Sequence, residues 1–145
     1  MFVVLVAATI LSAAALGSVT FPHGRAEIRT AHTTVTVRVE LASTPAQLQR
    51  GLEGRRSLPR DAGMAFLFSG DTRGRFWMKD TLIPLSIAFW DRRGRIISML
   101  DMAPCRRDPC RVYDPKVAFR GALEVNRGAF GRWGVRPGAR VSIRR

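Results

Sequence analysis

Residues Thr33–Leu41 alternate without a break, with Val35, Val37, Val39 and Leu41 on one side of the chain and Thr34, Thr36, Arg38 and Glu40 on the other. A side-chain period of two belongs to a strand with one wet and one buried face and fits no helix. The remaining segments have the same grain. Met64–Phe68, Phe76–Met78, Leu85–Asp91, Arg95–Asp101, Ala122–Asn126 and Val141–Ile143 are short, and the connections between them are rich in Gly, Pro and Asp, which predicts about seven strands.

Local punctuation sharpens this reading. Arg92-Arg93-Gly94 puts a glycine where a bulged hairpin turn needs a left-handed residue, so Leu85–Asp91 and Arg95–Asp101 are expected to pair. Ser69–Gly74 reads as a loop, and Arg136-Pro137-Gly138-Ala139 as a type II turn. Thr44-Pro45-Ala46-Gln47 is a helix start, with Thr44 as cap, Pro45 in the first helical position and Gln47 reaching back; the helix is expected to run to Glu53 and stop at Gly54. Phe130–Trp133 reads as one further helical turn. A single clear helix among many strands, with no βαβ rhythm and no internal repeat, predicts an α+β fold, mainly antiparallel sheet, curled in the manner of a barrel.

The 145 residues, 46% apolar and 24% charged, suit a single globular domain. Its predicted limits are residues 25–145. Residues 1–24 read as a signal peptide or an N-terminal membrane anchor: Phe2–Leu16 carries no charge, Ala13, Ala15 and Gly17 supply small residues for cleavage after Ala15 or Gly17, and Phe2–Pro22 stays uncharged for a length able to cross a bilayer. The departure from a standard leader is the absence of Lys or Arg before Arg25. Either form places the domain outside the cytoplasm, as a secreted, periplasmic or membrane-tethered protein.

Lys and Arg number 24 against 11 Asp and Glu, for a net charge of +13, which makes attraction to polyanions unavoidable. The basic residues are scattered, and all but Lys79 and Lys116 are Arg. With no reading helix and no basic groove interleaved with aromatics, the pattern disfavours specific nucleic-acid recognition. Two Cys and two His, not clustered, exclude a zinc ribbon, an iron–sulfur site or a haem attachment, so neither a metal nor a cofactor is expected.

The order of segments carries a resemblance. Gln47–Leu58, then Gly63-Met64-Ala65-Phe66-Leu67-Phe68, Phe76-Trp77-Met78-Lys79-Asp80-Thr81, Pro84-Leu85-Ser86-Ile87, Met102-Ala103-Pro104-Cys105 and Ala122-Leu123-Glu124-Val125-Asn126 together resemble the DUF192 family over residues 34–144. That resemblance implies a small, often exported prokaryotic protein and a shared scaffold, and it brings no catalytic residue with it. At Ser86 the chain departs from its relatives, which usually have Asp there, so any role of that carboxylate is in doubt for this member.

The residues themselves leave three functional classes open. Cys105 and Cys110 enclose Arg106-Arg107-Asp108-Pro109, and in an oxidising compartment a disulfide between them is expected to pin this loop, a redox or nucleophilic cysteine being the lesser alternative. A thiol catalyst needs a base, and both histidines, His23 and His32, fall in what reads as a lead-in before the first strand. Acid–base chemistry would rest on carboxylates, with Glu124 and Asp80 the first candidates and Asp101 and Asp114 behind them; each also has an ordinary structural reading as a turn residue or ion-pair partner. Trp77, Trp90, Tyr113 and Trp133 offer flat faces, although core packing is expected for at least two of the tryptophans. Lys79, Arg55, Arg56 and Asn126 can hold hydroxyls or an anion, and a lysine retained in so arginine-rich a chain draws attention to position 79.

The expected partners follow from these classes. The first expectation is an accessory domain holding a small polar or glycan-like ligand near Trp77, Lys79, Tyr113 and Glu124. The second is a cell-envelope enzyme acting on carbohydrate with Glu124 or Asp80 as acid or base. The third is a docking protein for anionic envelope polymers, with membrane contact limited to the N-terminal segment.

Overall fold

The computed structural model describes residues 17–145; the predicted leader therefore lies largely outside the described residues. Nine strands and two short helices follow in the order β1 (His23–Arg29), β2 (Thr34–Ala42), α1 (Pro45–Arg50), β3 (Ala62–Thr72), β4 (Phe76–Trp77), β5 (Leu85–Trp90), β6 (Ile96–Met102), β7 (Val112–Tyr113), β8 (Phe119–Asn126), α2 (Ala129–Arg132) and β9 (Arg140–Arg144). Seven strands form one sheet in the order β6-β5-β8-β3-β2-β1-β9, and β4 pairs with β7 in a separate ribbon.

The sheet is mixed, because β2 and β3, joined through α1, run parallel while the other pairs are antiparallel. It is also open, which corrects the barrel expectation. The segment leading into edge strand β6 meets the start of edge strand β9 through an isolated bridge, Arg95–Arg140, and a few flanking backbone hydrogen bonds, but no continuous ladder joins the two strands. Among the described residues no helix is long and apolar enough to cross a membrane.

Local chemistry explains the elements that were legible. The Thr44 hydroxyl accepts the Gln47 N–H at 3.3 Å, and the Gln47 side-chain oxygen accepts the Thr44 N–H at 3.1 Å, which closes the anticipated capping box. The helix stops at Arg50, a turn earlier than expected, because Gly51 already leaves helical geometry at φ 49° and ψ −137°. In the β5–β6 hairpin Gly94 has φ 77°, and Asp91 N–H donates to the Arg95 carbonyl at 3.0 Å. Ala139 N–H donates to the Arg136 carbonyl at 3.1 Å across Gly138 with φ 98°, as a type II turn requires.

Two segments differ from expectation. His23–Arg29 is a strand and not a lead-in; just two of its residues, Ala26 and Ile28, are apolar and buried, too few to signal a strand in isolation. Because β1 begins at His23, the predicted boundary between residues 24 and 25 falls inside it. Ser69–Thr72, read as loop, continues β3 across a register shift between Leu67 and Thr72.

Two apolar layers lie against the sheet. One gathers Ile28, Val37, Leu123, Trp90 and Phe130. The other gathers Met64, Phe66, Ile87, Phe89 and Phe119 beneath Leu52 and the β4–β7 ribbon. Strand β5 is buried at every position, which is why its sequence is apolar on both faces, Ser86 excepted, in place of alternation.

Candidate functional site

Glu124 occupies the centre of the sheet. On β8 it stands between Met64 of β3 and Ile87 of β5, both fully buried, and its own relative exposure is 4%. Directly paired residues project to the same side of an antiparallel pair, so this carboxyl rises from the apolar layer that contains Phe66 and Phe89. Burial pushes its pKa from 4.5 up to about 8.

Among the described residues the Glu124 side chain has no hydrogen-bond or ion-pair partner, yet no fully enclosed side-chain nitrogen or oxygen is left unpaired. Its carboxyl therefore keeps a surface open to the cavity of about 370 Å³ that it lines. Leu48 and Leu52, from α1 and the turn after it, form one side, while Phe66 and Phe68 of β3 and Phe76 and Trp77 of β4 supply aromatic walls. Edge-to-face contacts between Phe66 and Phe76, and between Phe76 and Phe89, fix those walls.

Lys79 stands at the rim. Its ammonium donates to Asp108 Oδ2 at 2.7 Å and lies 5.5 Å from the centre of the Trp77 ring. The hydrogen bond to Asp108 raises the Lys79 pKa. Asp108 belongs to the loop that a Cys105–Cys110 disulfide closes, with the two Cα atoms 5.8 Å apart. The backbone of that loop holds the same segment, since Asp80 N–H donates to the Cys105 carbonyl at 2.8 Å.

Trp77, Lys79 and Glu124 thus line one concavity. The other sequence-selected residues stand elsewhere. Tyr113 is buried in the β4–β7 ribbon, where its hydroxyl accepts the Ala103 N–H at 3.0 Å and Arg111 lies over its ring. Asn126 donates to the carbonyls of Leu58 and Pro59. Arg55 pairs with Glu40 at 2.8 Å, and Arg56 is exposed. Asp80, exposed in a left-handed turn at φ 53°, does not line the cavity. Asp101 accepts from Ser86, and the carboxylate of Asp114 accepts the Lys116 N–H, a bond that lowers the Asp114 pKa. Trp90 and Trp133 pack in or against the other apolar layer.

Ser86 projects to the side of the sheet away from Glu124, because it is paired with Val125. Its hydroxyl donates to Asp101 Oδ1 at 2.6 Å and accepts the Gly128 N–H at 3.0 Å. Ser86 is therefore not part of the cavity lining.

Sequence reading missed the phenylalanine walls and Asp108. The available signal was Glu124 itself, an acid inside the apolar run Ala122–Val125, where both faces of the strand are core.

Two solved structures are similar to this chain. A protein of Sinorhizobium meliloti 1021, described as a candidate transcription regulator, shares 32% identity over 88% of this chain and 98% of its own, with a TM-score of 0.81. A protein of unknown function from Novosphingobium aromaticivorans DSM 12444 shares 27% identity over 94% of this chain and 99% of its own, with a TM-score of 0.78. No curated protein matches the chain. The model of the DUF192 family, described as "Uncharacterized ACR", matches residues 26–143, which take in nearly all of the sheet, the ribbon and the Glu124 cavity; the chain belongs to the DUF192 family.

Proposed function

We propose that this is an exported ligand-binding protein that holds a small polar or glycan-like molecule in the cavity above Glu124. The observation that carries the reading is an unpartnered carboxyl, 4% exposed, on the floor of a pocket walled by aromatic rings. A buried polar group without a partner costs about 1–3 kcal/mol, and a ligand hydroxyl or amide supplies the missing hydrogen bond. With a pKa of about 8 the carboxyl is mostly protonated at neutral pH, so it both donates and accepts, as a hydroxyl-bearing ligand requires. Trp77, half exposed beside it, offers the flat apolar face against which a sugar ring packs.

Export is part of the same proposal. It is supported by the Cys105–Cys110 disulfide, which persists in oxidising compartments, and by the uncharged stretch Phe2–Pro22. Glu124 also has the raised pKa of a general acid, but among the described residues it is the sole carboxylate lining the cavity, and a paired-carboxylate hydrolysis draws no support from that lining. Nor is the regulator description of the Sinorhizobium protein carried over: the helices among the described residues span six and four residues, too short to serve as a reading helix.

The test is thermal unfolding of the intact, oxidised protein against a panel of neutral sugars, acidic sugars and small amides at two salt concentrations. The expected result is a salt-resistant rise in midpoint for one class, abolished in Glu124→Leu and reduced in Trp77→Ala. No shift with any compound, or a shift that survives both substitutions, rejects the cavity as the site.

A further inference from the structure

On the same side of the sheet as Glu124, but nearer the β9 edge, the register sets three arginines side by side. Arg25 of β1 is paired with Arg38 of β2 on one flank and with Arg144 of β9 on the other. All three are exposed. Like charges directly opposite one another in a sheet are destabilising, and here the repulsion is counted twice at Arg25.

The neighbouring acids relieve the flanks and not the centre. Arg38 is engaged by Asp61 through two hydrogen bonds of 3.0 and 2.7 Å, and Arg144 lies 3.6 Å from Glu27. Arg25 has no hydrogen-bond or ion-pair partner among the described residues. The row lies along an open groove of about 690 Å³, which His23 and Arg55 also line. A central guanidinium with all its donors free, between two others carried on strands roughly 5 Å away on either side, matches a series of anionic groups on one extended molecule.

We propose that this groove binds a linear polyanion with a non-aromatic backbone, a carboxylate-bearing polysaccharide, with Arg25 as its central contact and Arg38 and Arg144 flanking it. Guanidinium groups recognise carboxylates by paired hydrogen bonds, which a row of arginines repeats along a chain of acidic sugars. Among the described residues the groove lining holds no Phe, Tyr or Trp, so they supply no base-stacking platform of the kind a single-stranded nucleic-acid site uses. Its concavity suits a strand lying within it better than a planar bilayer surface. The site is separate from the cavity over Glu124, and neither depends on the other.

The register gives the proposal an unusual signature. Arg25→Glu places a carboxylate between two arginines, turning a repulsive row into an alternating one, so this substitution raises the unfolding midpoint while it removes the central contact. The control is Arg92→Glu at the exposed tip of the β5–β6 turn, which changes net charge equally and lies outside the groove. Binding of the intact protein to polygalacturonate is measured by titration calorimetry, with single-stranded oligothymidine and vesicles containing anionic lipid as competing probes. Arg25→Glu is expected to weaken polygalacturonate binding roughly tenfold, and Arg92→Glu less than about twofold. Equal losses for the two variants, a midpoint that fails to rise in Arg25→Glu, or tighter binding to oligothymidine or vesicles than to polygalacturonate overturns the proposal.

Discussion

The Lys79 ammonium donates to Asp108 Oδ2 at 2.7 Å, and this bond ties the rim of the Glu124 cavity to the loop that Cys105 and Cys110 close. Two residues 29 positions apart are brought together because the loop backbone pairs with the segment after β4, through the bridges of Cys105 with Lys79 and Thr81. The disulfide thus bears on the cavity as well as on the loop.

Replacing both cysteines, as Cys105→Ser with Cys110→Ser, is expected to lower unfolding free energy by about 2 kcal/mol, the chain-entropy value for so short a loop. Denaturant unfolding measures the loss. Hydrogen exchange at Asp80, whose N–H donates to the Cys105 carbonyl, is expected to accelerate in the same variant; unchanged exchange there would show that the loop holds the rim without the covalent bond.

Glu124 predicts a pH dependence whose sign follows from its raised pKa. Below about pH 4.5 the carboxyl is protonated in both folded and unfolded chains, and its full contribution to stability is present. Between pH 4.5 and about 8 the unfolded chain releases the proton while the folded protein retains it, so stability falls as pH rises. The loss amounts to a few kcal/mol across that window, at up to about 1.4 kcal/mol per pH unit. Glu124→Gln has no such proton, and its stability is expected to be flatter over the same range; parallel profiles for the two proteins would refute the assignment.

Ser86→Ala removes a buried hydroxyl that serves both Asp101 and the Gly128 N–H. The expected cost is about 2 kcal/mol in equilibrium unfolding, since the Gly128 N–H loses its acceptor. Ligand binding in the cavity is expected to be unchanged, because Ser86 projects from the opposite face of the sheet.

Gly121→Ala tests the packing of the other apolar layer. A Cβ at position 121 would lie 2.4 Å from the Trp90 indole, a ring enclosed by core and unable to retreat freely. Calorimetry is expected to show destabilisation of about 2 kcal/mol, the usual result of overpacking. The same substitution at Gly131, whose added Cβ meets nothing within 4 Å, serves as the control.

Much of the fold was legible because its signals are local. Alternation in β2, the Thr44–Gln47 cap, the Gly94 hairpin and the Gly138 turn each depend on residues within a few positions of one another, where backbone sterics and short-range hydrogen bonds decide the outcome. Strand β1 was hidden because two buried residues suffice once β2 and β9 flank it. The ribbon strand Val112–Tyr113 has no apolar pattern of its own and exists because Phe76 and Trp77 pair with it.

The candidate site divides in the same way. Sequence by itself determined the residue types, an acid within an apolar run, a tryptophan next to a methionine and lysine, two cysteines five positions apart and an excess of arginine. Tertiary structure alone decided that Trp77, Lys79 and Glu124 share a cavity while Tyr113, Asn126, Arg55 and Asp80 do not, and that Arg38, Arg25 and Arg144 stand in one row. The physical reason is that strand register and sheet curvature are set by burial summed over the whole core. A shift of one residue would turn every side chain of a strand to its other face, and no short stretch of sequence carries enough of that sum to fix which groups meet.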